Sequence, residues 1–310
     1  MTNRLSTRAL TEAGLLAAIT AVMALLGQLV PVLPLLIPVP IVLIAVRHGF
    51  RTALMTTAVV GVLLAYVLGP GAALFQTVSF GSVGLAIGWG ATRRWEAGGT
   101  VLLTAAALLL TLALSLGIGV FIAGVDISPR LDQAVAQART QIHQTLEEQQ
   151  VLDTPQGQAQ LAFAELFLDV FRRTWWAVFM VAIAPAALLY YAVARWSLRR
   201  FRYTLPPIPS FGDWHLPAET LLPLALGLGA LLTPVEVVVN LGLGVLVMMV
   251  YLYAFNGLAL TYGLLVRWNL PRFLAALLTV LTAVSAIPAV VIGGLLDSVF
   301  DFRLSLDSRE

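Results

Sequence analysis

Apolar runs long enough to cross a bilayer recur along the whole chain. Clear examples cover residues 7–30, 51–68, 99–123 and 235–266. A helix needs about 20 consecutive apolar residues to cross the hydrocarbon core of a membrane. The composition agrees, because 59% of the residues are hydrophobic and 11% are charged, whereas a soluble domain is about 25% charged. The sequence therefore predicts an all-α, polytopic membrane protein built as a bundle of transmembrane helices.

Arginines at the ends of the apolar runs predict how the chain crosses the membrane. Cytoplasmic loops of membrane proteins carry an excess of basic residues. Most arginines fall on the cytoplasmic side if the N-terminus is cytoplasmic and the chain crosses about nine times, with eight crossings as the alternative count. The first run is predicted to be a retained helix rather than a signal peptide, because its hydrophobicity continues to Val46. The predicted spans are residues 7–30, 33–46, 51–68, 72–91, 99–123, 175–196, 218–232, 235–266 and 273–296.

Polar stretches divide the chain into parts. The longest one shows apolar residues at helical spacing, with Ser128 placed to cap a helix and Pro129 at its first position. It is therefore predicted to be an extracytoplasmic helical hairpin. The predicted parts are a six-helix membrane domain at 1–195 that includes this insertion at 125–165, a cytoplasmic proline and aromatic loop at 196–217, three further transmembrane helices at 218–296, and an acidic tail at 297–310.

Residues 31–40 carry four prolines and no charge between two apolar runs. Proline lacks a backbone N–H and clashes with the preceding turn, so a regular helix through this segment is not expected. One interpretation is a re-entrant segment that walls a binding cavity, with Pro34, Pro38, Gln76, Ser79 and Trp175 as candidate ligand contacts. The other interpretation is a loop at the outer surface followed by a short helix, with the polar side chains used for hydrogen bonds between helices.

Three further polar side chains interrupt the apolar run 235–266. Glu236 and Asn240 are four residues apart and share a helix face, and Asn256 lies deeper. Polar groups inside a membrane are costly and by default indicate a site or a buried partner. These residues are candidate intramembrane polar sites, although Glu236 is also close enough to the outer turn to reach water.

The first helix carries Ala13, Ala17 and Ala21 at intervals of four residues. Small residues at this spacing allow another helix to approach closely in lipid. The spacing therefore predicts a face for a partner helix.

Several kinds of chemistry are excluded by composition or lack their motifs. The chain has no cysteine, and all 18 basic residues are arginine. A Walker A motif and a Schiff base both need lysine. HExxH and GxSxG are absent, and no helix carries a row of charges typical of a selective channel. The sequence therefore predicts no enzyme, cofactor, metal site or nucleic-acid partner.

Three stretches resemble the YybS-like family of bacterial membrane proteins. They are the loop Pro-Pro-Ile-Pro-Ser-Phe-Gly-Asp-Trp-His-Leu-Pro at 206–217, the Asn256-Gly257-Leu258 stretch that follows Asn240, and Gly-Leu-Leu-Asp-Ser-Val-Phe-Asp-Phe-Arg at 294–303. Asn256 stands where that family often has glutamine. The resemblance implies a multi-pass protein of the bacterial inner membrane.

The first six spans, residues 1–195, also resemble the S components of energy-coupling-factor transporters. That resemblance implies a small-molecule binding protein that meets a transmembrane coupling subunit, with its ATPases, through Ala13, Ala17 and Ala21. The leading hypothesis is thus a binding or transport component. The alternative is a membrane scaffold or assembly factor that has no transported substrate and contacts another membrane complex. Membrane lipids are partners under either hypothesis.

Overall fold

The computed structural model describes residues 7–122, 124, 126–300 and 302, and the regular elements in them are helical. Six of the helices are long and apolar enough to cross a membrane, and a bent pair of shorter helices makes a seventh candidate. Two shorter apolar segments, at 33–48 and 218–230, accompany them. The α-helices are α1 Thr7–Leu26, α2 Pro38–His48, α3 Phe50–Leu68, α4 Pro70–Thr92, α5 Ala97–Gly117, α6 Ile127–Glu148, α7 Pro155–Arg200, α8 Leu221–Ala230, α9 Glu236–Arg267, α10 Arg272–Ser285 and α11 Ile287–Phe300. The prediction of an all-α multi-pass membrane protein is confirmed.

The chain forms two compact units. The first contains residues 1–125 and 182–208, and the second contains residues 126–181 and 209–310. Helix α7 contributes its C-terminal part to the first unit and its N-terminal part to the second. Its non-helical residue is Thr174, with φ −122° and ψ 18°, whereas Pro185, where the sequence predicts a kink, keeps helical backbone angles.

Glycines on α4 bring three neighbouring helices close in the first unit. A Cβ at Gly84 would lie 2.9 Å from Cβ of Ile41, and one at Gly88 would lie 2.6 Å from Cβ of Ala45. Real Cβ atoms do not approach other atoms this closely, so these positions accept no larger residue without movement of α2. The glycine face predicted for close helix packing therefore serves α4 as expected.

The polar insertion forms a helical hairpin in the second unit. Asp126 caps α6 by accepting a hydrogen bond from the backbone N of Ser128 at 3.1 Å, so Ser128 lies inside the helix and is not its cap. Thr154 caps α7 through the backbone N of Gly157 at 3.0 Å. The two helices are joined by exposed ion pairs, Arg172–Asp132 at 2.7 Å and Arg139–Glu165 at 3.7 Å. Each exposed pair contributes at most about 1 kcal/mol, so apolar packing and capping hold the hairpin.

The span predicted at 273–296 is two helices rather than one. Helices α10 and α11 meet at a bend of 110°, where Ala286 has φ −140° and ψ 38°. Pro288 stands in the first turn of α11. Proline supplies no N–H to the preceding turn and disfavours helical angles in the residue before it, so α10 ends ahead of it. Asp297, assigned by sequence to the acidic tail, lies within α11 and is buried.

Candidate functional site

Asn256 stands at the centre of a buried polar contact in the second unit. Its Oδ1 accepts a hydrogen bond from the backbone N of Leu216 at 3.2 Å. Its Nδ2 donates to the carbonyl oxygen of Gly294 at 2.9 Å and to Oδ2 of Asp297 at 3.3 Å. Asn256 is 2% exposed and Asp297 is 3% exposed. We call these four residues the polar junction; they connect the loop before α8, helix α9 and helix α11.

Glycines allow the helices of the polar junction to come into backbone contact. A Cβ on Gly294 would overlap the carbonyl oxygen of Tyr253, and a Cβ on Gly257 would overlap the carbonyl oxygen of Val290. Only hydrogen at these two positions lets α9 and α11 approach to this distance. The hydroxyl of Tyr253 also donates to Oγ1 of Thr220 at 3.2 Å. The junction is thus closely packed and lacks room for a ligand.

The polar junction accounts for the three sequence stretches that carry the family resemblance. Leu216 belongs to the loop, Asn256 and Gly257 to the α9 stretch, and Gly294 and Asp297 to the closing stretch. Sequence reasoning selected Asn256 but missed Asp297 as its partner. The available signal was the position of Asp297 one turn after Gly294 at the end of an apolar run, because a carboxylate there needs a polar neighbour.

The opposite face of α9 lines a large apolar trough in the same unit. Its volume is about 640 Å³. Helix α9 provides residues at intervals of three and four, which places them along one face. Helix α7 and the bend between α10 and α11 provide the other two walls. The lining residues are Phe163, Phe167 and Val170 from α7, Leu243, Leu246, Val247, Val250, Tyr251, Ala254, Phe255 and Leu258 from α9, and Ala283, Ile287 and Val290 at the bend.

The trough is open along its length, because many of its apolar side chains are exposed. Phe163 is 71% exposed, and Phe167 and Ile287 are also more than half exposed. Tyr251 carries the side-chain hydroxyl in this lining. Such a surface is suited to contact with hydrocarbon and offers few polar groups to a water-soluble ligand.

The cavity predicted beside residues 31–40 has little room. It offers about 10 Å³ to the centre of a water-sized probe and is lined by Ile37, Ile41, Gln76 and Thr77 among others, which is about the space of one water molecule. Oε1 of Gln76 and Oγ1 of Thr77 are buried and have no hydrogen-bond partner among the described residues. Both atoms are therefore available to a small polar guest.

The other predicted cavity contacts are distributed elsewhere. Pro34 lies in a short 3-10 turn at Leu33–Leu35, and Pro38 is the first residue of α2. Ser79 donates its hydroxyl to the carbonyl oxygen of Phe75 at 2.8 Å in its own helix. Trp175 belongs to the second unit, where its ring meets Phe179 edge-on at 6.0 Å. Residues 31–40 thus have the local form of a loop followed by a short helix, and a ligand role for these side chains stays a prediction.

The alanine face of α1 meets helices of this same chain. Ala17 is 0% exposed, and with Ala21 it packs into a cluster that contains Ile37 and Val60. Ala13 packs against a neighbouring cluster from α2 and α3. The spacing correctly indicates close helix contact, but α2 and α3 already occupy the face that was predicted for a separate coupling subunit.

Replacing Ala17 with leucine is expected to destabilise the first unit by about 1–3 kcal/mol, because a filled core must move to admit the extra atoms. Replacing Ala18 with leucine is the matched control, since Ala18 is exposed on the same turn, and it should leave stability unchanged. Thermal unfolding of the two variants in detergent measures the difference. Equal stability of both variants would contradict the internal packing of Ala17.

The remaining predicted polar residues differ in their surroundings. Glu236 is exposed at the first residue of α9, as expected if it reaches water. Oδ1 of Asn240 is buried and has no hydrogen-bond partner in the described part of the chain. In the first unit, Glu12 forms ion pairs with Arg47 and with Nε2 of His48, the latter at 2.8 Å. Within residues 7–122, 124, 126–300 and 302, no three His, Cys, Asp or Glu side chains come together to hold a metal ion.

Comparison with known proteins agrees with the arrangement of apolar helices. The model of the family described as "Predicted membrane protein (DUF2232)" matches residues 18–298. The "Uncharacterized protein YybS" of Bacillus subtilis (strain 168) is 24% identical over 225 residues, which are 70% of this chain and 70% of that protein. No solved structure matches. The chain, with its apolar helices and the polar junction formed by its three characteristic stretches, belongs to the DUF2232 family of membrane proteins.

Proposed function

We propose that this multi-pass membrane protein is the small-molecule binding component of a transport system in a bacterial inner membrane. The supporting observation is the trough of about 640 Å³ in the second unit. Small-molecule sites in proteins are typically about 300–1,000 Å³ and mostly apolar. The partner-free buried oxygens of Gln76 and Thr77, within the part of the chain that the structure describes, provide a second, polar position in the first unit.

Transport by this chain would draw its energy from a partner. The sequence contains no lysine and hence no Walker A motif. The proposal assigns ATP hydrolysis to separate subunits and no catalytic step to this chain. Because α2 and α3 cover Ala17 and Ala21, a coupling subunit would bind a surface other than this alanine face.

A scaffold role is the competing proposal, and the aromatic loop is its strongest candidate surface. In the second unit the loop packs on its own neighbours. The ring of Phe211 lies 5.1 Å from Phe255 and 5.9 Å from Tyr262, and Trp214 lies 5.6 Å from Phe255. These rings are already used within the chain, which favours the binding role over a docking role for this loop.

Native mass spectrometry of the full-length protein, purified from its own membranes in a mild detergent, tests the proposal. A binding component should retain a small molecule at about one per chain, and the added mass should disappear after extraction with organic solvent. A ligand-free protein that carries an unrelated envelope complex would overturn this proposal and favour the scaffold.

A further inference from the structure

We propose that the ligand is a bilayer phospholipid and that one of its acyl chains occupies the apolar trough. This inference rests on the proposed binding function and names the class of molecule that the second unit binds. The first argument is the shape of the trough. The part of α9 that lines it runs from Leu243 to Leu258, which is about 22 Å at 1.5 Å per residue.

The volume of the trough favours a hydrocarbon chain over a protein helix. A volume of about 640 Å³ spread over about 22 Å gives a mean cross-section of about 30 Å². An α-helix with its side chains is about 10 Å across, which requires about 80 Å². A partner helix therefore does not fit into the trough, whereas an extended acyl chain, which has no side chains, does.

The side chains of α9 lead to the same choice. Helices pack in lipid through small residues that allow the backbones to approach. On α9 such residues point away from the trough, where Gly242 meets Ala230 of α8 and Gly257 meets Val290 of α11. The trough face instead carries leucine, valine, tyrosine and phenylalanine, with Ala254 as its small residue. This wall offers an acyl chain broad dispersion contact and offers a helix no close approach.

Polar groups stand beyond one end of the trough, as a phospholipid requires. On α9, Tyr262 lies one turn beyond Leu258, and it lines a separate cavity of about 100 Å³ together with Ser210, Asp213 and Arg267. Phe211 packs between Phe255 of the trough and Tyr262 of this cavity. Aromatic side chains are typical of the membrane interface. The order of apolar trough, aromatic side chains and polar cavity along α9 matches the order of acyl chain and head group.

Photocrosslinking with a chain-labelled lipid tests the inference. The full-length protein is reconstituted in vesicles of phosphatidylethanolamine and phosphatidylglycerol that contain a trace of phosphatidylcholine with a diazirine in one acyl chain. After illumination, labelled residues are mapped by mass spectrometry. A bound chain should label Val247, Val250 and Ala254 about tenfold more than Val237 and Leu241, which are exposed elsewhere on α9 and outside the trough.

Two matched substitutions identify the bound position. Val250 lines the trough and is 47% exposed, whereas Val237 lies outside it and is 67% exposed. Val250→Trp should fill the trough and lower its labelling about tenfold, and Val237→Trp should leave labelling unchanged. If Val250→Trp alters the melting temperature, Ala254→Phe replaces it, and the same loss is expected.

The remaining outcomes separate this inference from the proposed function. Uniform labelling around α9 would mean contact with bulk lipid and overturn the inference. Retention of a ligand without an acyl chain, unaffected by Val250→Trp, would overturn the inference and leave the binding function in place. Protection of the trough by a second copy or a partner subunit would also overturn the inference. Absence of both retained ligand and trough labelling would overturn the two proposals together.

Discussion

Replacing Asn256 with leucine is expected to destabilise the second unit by about 3 kcal/mol. The side chain is buried and forms hydrogen bonds with the backbone N of Leu216, the carbonyl oxygen of Gly294 and Oδ2 of Asp297. Leucine has a similar size but cannot replace any of them. A buried polar group that loses its partner costs about 1–3 kcal/mol, and more when it is charged. Thermal unfolding followed by the fluorescence of the seven tryptophans measures the loss.

Asn240→Leu is the matched control on the same helix. Oδ1 of Asn240 is buried and has no hydrogen-bond partner among the residues that the structure describes. Replacing a polar group in that position with an apolar one of similar shape is neutral or stabilising. The melting temperature should therefore fall for Asn256→Leu and stay or rise for Asn240→Leu. Equal losses in both variants would mean that the polar junction has no special role in holding α9, α11 and the loop together.

Most helices of this fold follow from the lengths of the apolar runs. The cost of exposing backbone polar groups to lipid leaves the helix as the available structure for such runs. The break between α10 and α11 was not predictable in this way, because Pro185 and Pro288 both stand inside apolar runs. Pro185 keeps helical backbone angles, whereas Pro288 follows the bend at Ala286. Neighbouring structure decides whether a proline in a membrane helix bends it, and a local sequence does not contain that information.

The two candidate sites differ in how well the sequence reveals them. Asn256 was identifiable, because an amide deep in an apolar run needs a buried partner. The trough was not, because residues facing lipid and residues facing an apolar cavity have the same composition. Val250 in the trough and Val237 outside it are indistinguishable by sequence. The difference arises only when α7 and the bend between α10 and α11 place walls beside one face of α9.

Replacing Gly294 with alanine is expected to destabilise the second unit by about 3 kcal/mol or more, although it adds a single methyl group. That methyl would overlap the backbone carbonyl oxygen of Tyr253. A flexible side chain could rotate away, but a carbonyl within α9 cannot move without displacing the helix. Overpacking of a filled interior typically costs about 1–3 kcal/mol, and contact with backbone is at the upper end of this range or beyond it. Separation of α11 from α9 would also break the hydrogen bond from Asn256 to the carbonyl oxygen of Gly294.

The adjacent residue supplies a control with the opposite sign. A Cβ on Gly293 meets nothing within 4 Å, and alanine is favoured over glycine within a helix by about 0.5–1 kcal/mol. Gly293→Ala should therefore raise the melting temperature slightly, while Gly294→Ala lowers it strongly. Because the two variants carry the same substitution at neighbouring positions of α11, helix propensity alone would shift both in the same direction. A similar stabilisation of both variants would contradict the close backbone contact of α9 with α11, and with it the geometry that buries Asp297 beside Asn256.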